Sequence, residues 1–316
     1  MRSPWALLLD ASIYFSFDRS GFRRHARTFA SGDLEVDLRG RRCLVTGANS
    51  GIGYAAAEAL VRRGAEVWLL CRDAARGAAA AAELARVGPG LVHDEVLDLS
   101  SLDAIRAWAA ARAPAAVDVL VHNAGALPRE RALTAEGLET TFATHVAGPF
   151  LLTHLLRPAL AAAAAARVIW VSSGGMYAQR LSLADLDWSR RPYDGVTAYA
   201  QTKRMQVVLS ELCAERWGAD LRSHAMHPGW ADTPAVREAL PRFWRFTQGR
   251  LRSPAEGADT VVWLAVAAEP GACSGRFWFD RAPRATCLVP GTRERPAERA
   301  ALWERCARVT GVEADA

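Results

Sequence analysis

The sequence lacks the features that mark several large classes of protein. None of its six cysteines forms a C-x-x-C pair, and none shows the spacing of metal ligands. No apolar run approaches the length of a membrane-spanning helix. The net charge of +5 comes from arginines scattered along the chain, not from a basic stripe with interleaved aromatic residues. We therefore expect a protein without a metal site that does not bind nucleic acid and works in a reducing compartment, the cytoplasm.

A glycine-rich turn at residues 46–53 stands between a strand pattern and a helix pattern. Cys43-Leu44-Val45 is a short apolar run, and residues 54–63 carry apolar side chains at helical spacing. Strand, glycine turn and helix together predict the start of a dinucleotide-binding βαβ unit. Glycine suits this turn because a Cβ would keep the backbone away from a pyrophosphate. The first N–H groups of the helix would then face that anion.

The spacing of these glycines is more specific than their number. Gly47, Gly51 and Gly53 follow a G-x-x-x-G-x-G pattern with Thr46 directly in front, and not the commoner G-x-G-x-x-G. The turn resembles that of the short-chain dehydrogenase/reductase family, and four further motifs of that family follow in order. The resemblance covers about residues 40–281 and is closest to the family's member-12 type and its bacterial relatives.

The resemblance and the alternating strand and helix patterns predict an α/β fold. A chain of 316 residues with 51% hydrophobic content can bury the core of one large domain. We expect a doubly wound Rossmann-type parallel sheet of about seven strands, with helices on both faces, as a single domain at residues 40–281. Residues 1–39 would form an N-terminal extension, and residues 282–316 a C-terminal tail with a helix.

The end of the second predicted strand bears on the choice of cofactor. Residues 66–71 form an apolar strand pattern that ends at Arg72-Asp73. A carboxylate at this position binds the ribose 2′-hydroxyl of NAD, whereas an arginine suits the 2′-phosphate of NADP. Arg72 therefore favours NADP(H) over NAD(H), and Asp73 keeps NAD(H) open.

The resemblance implies further cofactor contacts at the ends of later strands. Asp98 would bond the adenine amino group, although it could instead cap the next helix, with Ser100 as its rival. The N-A-G motif at 123–125 would support the adenosine ribose, and the P-G-x-x-x-T motif at 228–233 the nicotinamide carboxamide. The expected cofactor-binding residues are Thr46, Gly47, Asn49, Ser50, Gly51, Ile52, Gly53, Arg72, Asp98, Leu99, Asn123, Ala124, Gly125, Tyr199, Lys203, Pro228, Gly229 and Thr233.

Three of the four expected catalytic residues match motifs of the family. Tyr199 and Lys203 fit Y-x-x-x-K in a helical pattern, so both side chains project from one helix face. A phenol with a pKa near ~10 needs a neighbouring cation to act as a general base at neutral pH. We expect Tyr199 to be the general acid/base and Lys203 to lower its pKa. By resemblance, Lys203 also binds the nicotinamide ribose, and Ser173 donates a hydrogen bond to the substrate oxygen.

Position 145 departs from the family, because His145 stands where asparagine is usual. By resemblance, that asparagine helps to hold a bend in its helix, where a water continues the proton path beyond the lysine. His145 could take over this role with an altered proton relay, titrate near neutrality, or be an inert packed substitution. We expect retained catalysis and count His145 among the catalytic residues. The alternative is a catalytically impaired protein that binds NAD(P)H as a sensor or scaffold.

Aromatic residues in two segments bear on partners. Phe243, Trp244 and Phe246 predict a substrate lid, and a lid of this kind indicates a small hydrophobic carbonyl or alcohol substrate. The alternative for these residues is ordinary core packing. Residues 13–18 alternate apolar and polar side chains ahead of several arginines. We favour packing of this segment on its own domain or on a second subunit, with peripheral membrane contact as the alternative. A homo-oligomer is expected from the resemblance.

Overall fold

One sheet of eight strands runs through the protein. The computed structural model describes residues 9–10, 12–218 and 220–313. In these residues the strand order is β3-β2-β1-β4-β5-β6-β7-β8. The strands are β1 Arg42–Thr46, β2 Glu66–Cys71, β3 Val92–Val96, β4 Val119–His122, β5 Ala166–Val171, β6 Leu221–Met226, β7 Arg276–Phe279 and β8 Ala282–Arg284. The first seven are parallel, and β8 runs antiparallel to β7. The doubly wound single-domain fold is confirmed, with one strand beyond the seven expected.

Helices cover both faces of the sheet. They are α1 Ile13–Phe17, α2 Arg19–Ala26, α3 Gly51–Arg62, α4 Ala74–Leu84, α5 Leu102–Arg112, α6 Thr140–Phe142, α7 Gly148–Ala161, α8 Gly195–Trp217, α9 Pro234–Ala239, α10 Pro241–Thr247, α11 Pro254–Val266, α12 Ala268–Gly271 and α13 Pro296–Thr310. A π-helical turn, Ala143–Ala147, joins α6 to α7, and a 3-10 helix, Gly174–Ala178, follows β5. None of the helices in the described ranges is both long and apolar enough to cross a bilayer.

The core consists of two apolar layers, one on each side of the sheet. Leu44 and Leu120 face the layer formed with α5, α7, α8 and α13. Val45 and Val121, the next residues along β1 and β4, face the layer formed with α3, α4 and α11. Successive side chains of a strand point to opposite faces, so strands covered on both sides are apolar throughout. The order of the strands reverses between β1 and β4, and such a switch point opens a crevice at the carboxyl ends of the strands.

The described part of the N-terminal extension packs on this same domain. The Phe17 carbonyl accepts hydrogen bonds from Trp230 N at 2.8 Å and from Arg252 Nε at 3.0 Å. The Arg252 guanidinium is fully buried and pairs with Asp280, with an Nη1–Oδ1 distance of 2.6 Å. Residues 1–8 of the extension and 314–316 of the tail lie outside the described residues. The predicted domain boundaries at 39/40 and 281/282 remain predictions.

Candidate active site

The backbone conformation and close packing of the glycine turn after β1 exclude side chains at its glycines. Gly47 and Gly51 have φ values of +65° and +59°, a region that favours glycine. A Cβ on Gly53 would lie 2.3 Å from Asn123 Nδ2 and 2.5 Å from the Gly47 carbonyl oxygen. The N-cap Ser50 makes no side-chain capping bond to α3. The first N–H groups of α3 are therefore available to an anion such as a pyrophosphate.

Thr46 and Asn123 hold this turn against the end of β4. The Thr46 hydroxyl accepts hydrogen bonds from Asn123 N and Ala124 N, each at 3.0 Å, and donates to the Val121 carbonyl at 3.1 Å. Asn123 Nδ2 donates to the Thr46 carbonyl at 2.9 Å. These two side chains thus connect the two strands that flank the switch point, and they act on the shape of the turn.

The P-G-x-x-x-T motif lies beside the same turn, although it comes much later in the chain. A Cβ on Gly51 would lie 3.2 Å from the Thr233 methyl carbon. The Thr233 hydroxyl accepts from Val236 N at 3.3 Å and caps α9. Gly229 has φ +76°, and a Cβ there would lie 2.3 Å from Arg252 Nε. The first and last expected cofactor segments therefore meet at one edge of the sheet.

The expected 2′-position and adenine contacts sit at the ends of β2 and β3. Arg72 is exposed and makes no hydrogen bond or ion pair with the described residues, whereas Asp73 Oδ1 accepts from Arg76 N at 3.0 Å and caps α4. Asp98 Oδ1 accepts from Ser100 N at 2.9 Å and from the Ser100 hydroxyl. The N-cap of α5 is Ser101. The alternative that Asp98 or Ser100 caps α5 is wrong, because Asp98 bonds two residues ahead and closes a turn before the helix begins.

The expected catalytic side chains meet at the carboxyl end of β5. Tyr199 and Lys203 lie one turn apart on α8, and Lys203 Nζ is 5.4 Å from the centre of the Tyr199 ring. The Ser173 side chain lies close enough to the Tyr199 phenol to lower its pKa, and its hydroxyl accepts from Gly175 N at 3.3 Å. Lys203 Nζ donates to the Val171 carbonyl at 2.8 Å, and the Ser172 hydroxyl donates to the Lys203 carbonyl at 2.8 Å. The first serine thus attaches α8 to β5, while the second faces the phenol.

Comparison with known proteins decides the family. The family model described as short chain dehydrogenase matches residues 41–242. The chain belongs to this family. It is 43% identical over 297 residues to the Homo sapiens protein named dehydrogenase/reductase SDR family member 12, covering 91% of this chain and 92% of the relative. It is 35% identical over 298 residues to Homo sapiens retinol dehydrogenase 13, covering 89% of this chain and 87% of the relative.

A solved structure shows the same likeness. A Beutenbergia cavernae protein named as an NAD(P)-dependent gluconate 5-dehydrogenase, with NADP bound at low occupancy, superposes with a TM-score of 0.60. The two are 26% identical, and the match covers 76% of this chain and 95% of that one. As a short-chain dehydrogenase/reductase, the chain is an oxidoreductase that binds a nicotinamide dinucleotide. The glycine turn, the uncapped start of α3 and the segment after β4 fit such a cofactor.

Burial dominates the electrostatics of the short-chain dehydrogenase/reductase site. Burial raises the pKa of Tyr199 to about 12, and the neighbouring Ser173 side chain acts against this rise. Burial also lowers the pKa of Lys203 to about 7. Without a bound cofactor, Tyr199 therefore carries its proton at neutral pH, whereas Lys203 gains or loses its proton near neutral pH. Among the described residues, no group of three or more histidine, cysteine or acidic side chains is arranged to hold a metal.

His145 is fully buried in the π-helical turn, and both of its ring nitrogens are engaged. Ala126 N donates to His145 Nε2 at 2.9 Å, so the ring proton is on Nδ1, which lies 2.8 Å from the Thr202 hydroxyl. Burial, and then the charge of Lys203, hold the pKa of His145 well below its usual range. The ring is therefore neutral near pH 7, which speaks against titration near neutrality. It connects the segment after β4 to α8.

Two residues of this network escaped the sequence reasoning. Thr202 and Gln206 lie on α8 and contact His145, the first through its ring and the second through its carbonyl. Their role depends on a partner distant in sequence, and no spacing rule reveals it. One further feature of the sequence supports the expected catalytic group. Lys203 is the only lysine among 39 basic residues, so this position keeps an ammonium where all the others carry a guanidinium.

Proposed function

We propose that this chain is an NADP(H)-dependent carbonyl reductase or alcohol dehydrogenase that acts on a small hydrophobic substrate. One observation carries the proposal: Ser173, Tyr199 and Lys203 form a contiguous group where β5 ends. That end of the sheet also carries the glycine turn, and hydride and proton must reach adjacent atoms of one carbonyl group.

The reduction needs a hydride on carbon and a proton on oxygen. The cofactor, when bound, supplies the hydride. Tyr199 would donate its phenolic proton to the carbonyl oxygen, to which the Ser173 hydroxyl also donates a hydrogen bond. The Lys203 ammonium would stabilise the phenolate that remains, because an adjacent cation lowers the free energy of the charged form. In the oxidation direction the same phenolate would take the proton of the alcohol.

Arg72 supports NADP(H) as the preferred cofactor. Its guanidinium is exposed at the end of β2 and has no partner among the described residues, so it is available to a 2′-phosphate. Asp73, the residue that favours NAD(H), already accepts the backbone N–H of Arg76 as the cap of α4. NADP in the Beutenbergia cavernae structure agrees with this preference.

An aromatic surface against the segment that follows β5 supports a hydrophobic substrate. The Trp230 ring lies 5.2 Å from Phe243 and 5.6 Å from Tyr14, centre to centre. Phe17 closes this group against the backbone after Ser173, because a Cβ on Gly174 would lie 2.4 Å from its ring. Retinol dehydrogenase 13, a relative, is named after an apolar alcohol. Phe246 does not belong to this wall or to the core, since 76% of it is exposed.

The test compares native protein with Tyr199→Phe. We expect NADPH oxidation with decanal or all-trans-retinal but little with glyceraldehyde. The substitution should lower kcat by roughly 10²–10⁴-fold while the Kd for NADPH changes less than about twofold, because the ring remains and only the hydroxyl is lost. Tight NADPH binding without turnover of any carbonyl by native protein would instead support the sensor or scaffold alternative.

Location and association stay proposals as well. The six cysteines, all free thiols, are consistent with a reducing cytoplasmic location.

Homo-oligomer formation would appear as a multiple of 34.2 kDa in light scattering. Ile13 and Phe15 remain 57% and 37% exposed in α1, so the membrane alternative is tested by flotation with anionic vesicles. Loss of flotation in Ile13→Ser would support it.

A further inference from the structure

Gln206 lies one turn after Lys203 on α8, and its side-chain amide is fully buried. Its Oε1 accepts a hydrogen bond from Lys203 Nζ at 3.0 Å, and its Nε2 donates to the His145 carbonyl at 2.9 Å. The chemistry of the two partners determines the orientation of the amide. The reversed amide would place an NH₂ group against the ammonium and an oxygen against a carbonyl oxygen.

This contact takes up one of three N–H groups on Lys203. The Val171 carbonyl takes a second, at 2.8 Å. One N–H remains for a partner outside this network, and the Tyr199 ring lies 5.4 Å from Nζ. An ammonium held at two points cannot rotate its third N–H freely, so Gln206 and Val171 together set its direction.

The surroundings give Lys203 no carboxylate partner among the described residues. The next residue on α8 after Lys203 is Arg204, and its guanidinium pairs with Glu294. From the π-helical turn Lys203 faces His145, a neutral ring, and on its own helix the protonated Tyr199. The end of β5 contributes only a carbonyl dipole. Two neutral acceptors therefore stabilise a buried ammonium, and each one matters more than it would beside an anion.

We propose that Gln206 is a positioning residue, which holds the Lys203 ammonium at the end of β5 and connects it to the backbone of the π-helical turn. The contact itself does not depend on any activity. Its consequence for Tyr199 rests on the proposed function, so the two are tested separately.

The first test uses the fact that the chain has one lysine. Lysine labelled with ¹³C at Cε gives a single NMR signal, and its titration reports on Lys203 without substrate or cofactor. In Gln206→Met, the midpoint should fall by roughly one pH unit, because a hydrogen bond to the charged form is lost. Gln201→Met, the same change on the same helix away from this network, should titrate like native protein. Equal midpoints in native protein and Gln206→Met would overturn the proposal.

A second variant tests the contact with Lys203 in the opposite direction, and like Gln206→Met it removes the donor to the His145 carbonyl. Gln206→Glu keeps an acceptor beside Lys203 and adds negative charge, so the midpoint should rise above the native value. A midpoint at or below the native value would count against Gln206. Opposite shifts from two substitutions at one position are not expected of a residue that merely fills space.

The second readout is catalytic and uses NADPH with decanal. Gln206→Met should lower kcat with little change in the KM for decanal, and the deficit should widen between pH 6 and pH 8 as its Lys203 loses the proton earlier. A deficit that is the same at every pH would contradict positioning of the ammonium. If native protein reduces no carbonyl, the proposed function fails, while the lysine titration still decides the role of Gln206.

Discussion

The glycine turn and the catalytic end of α8 lie at the same edge of the sheet but are built in different ways. The turn is made of backbone: two glycines with positive φ, a third that excludes a Cβ, and a helix start with no capping side chain. The end of α8 is made of buried side chains that bond to one another and to carbonyls. A backbone site can be recognised in a short stretch of sequence, whereas a side-chain network needs partners from several segments.

The largest expected effect separates the two regions. Gly53→Ala places a Cβ against Asn123 and the Gly47 carbonyl, so the turn must open and the pyrophosphate site is lost. We expect the Kd for NADPH to rise at least ~100-fold, with a lower Tm from the strain. Titration of NADPH fluorescence measures the change. Tyr199→Phe is the matched counterpart, with native cofactor affinity and lost turnover, and similar affinities in the two variants would break the comparison.

A smaller effect is expected at the edge of the cofactor region. Arg72→Ala should raise the Kd for NADPH roughly tenfold, because it removes a charge-assisted bond to the 2′-phosphate, and should change the Kd for NADH less than twofold. Arg86→Ala, beyond the other end of α4, is the control and should leave both values unchanged. Equal losses for NADPH and NADH in Arg72→Ala would show that Arg72 does not read the 2′-position.

The side-chain region should also make stability depend on pH. Burial lowers the pKa of Lys203 from 10.5 to about 7, so between these values the unfolded chain binds a proton that the folded chain does not. The free energy of unfolding therefore rises with pH across this window. Lys203→Met removes the effect, and its stability relative to native protein should fall by about 3 kcal/mol between pH 7 and pH 9.5. Urea unfolding at both pH values measures this, and parallel changes in the two proteins would contradict it.

The smallest effect is expected at His145. The ring is neutral and bonds to Ala126 and Thr202, while the contact with Gln206 uses the backbone carbonyl, which any residue retains. His145→Asn should therefore preserve turnover or raise it. Steady-state rates with NADPH and decanal test this. A loss of more than about tenfold would mean that the imidazole itself takes part in the reaction.

Much of the fold was predictable because its signals are local. The glycine spacing at 47–53 and the alternation of short apolar runs with helical patterns depend only on neighbours in the chain. Strand β8 was missed because Ala282–Arg284 is short and carries a proline, and it forms a strand only by pairing with β7. The alternative that Asp98 or Ser100 caps α5 is wrong because Ser101 is the cap; all three residues favour turns and caps, and sequence alone does not rank them.

The site was predictable as a set of residues but not as a network. The spacing of Tyr199 and Lys203 on one helix followed from helical geometry. The bonds of Lys203 to Val171 and Gln206 depend on how β5 and α8 approach each other. The occupied ring nitrogens of His145 depend on how the π-helical turn packs against its neighbours. The packing of Phe17 against Trp230 and Arg252 likewise joins the N-terminal extension to segments more than 200 residues further along the chain.

The amino-acid sequence by itself determined the βαβ start, the doubly wound class and the helix that carries the phenol and the ammonium, because each depends on periodicity or on the conformational freedom of glycine within a few residues. Only the tertiary structure decided how that ammonium is held, which ring nitrogen of His145 carries the proton, and where the N-terminal helices lie. Those features are hydrogen bonds and burial between groups far apart in the chain, and burial is what moves the pKa values of Tyr199 and Lys203.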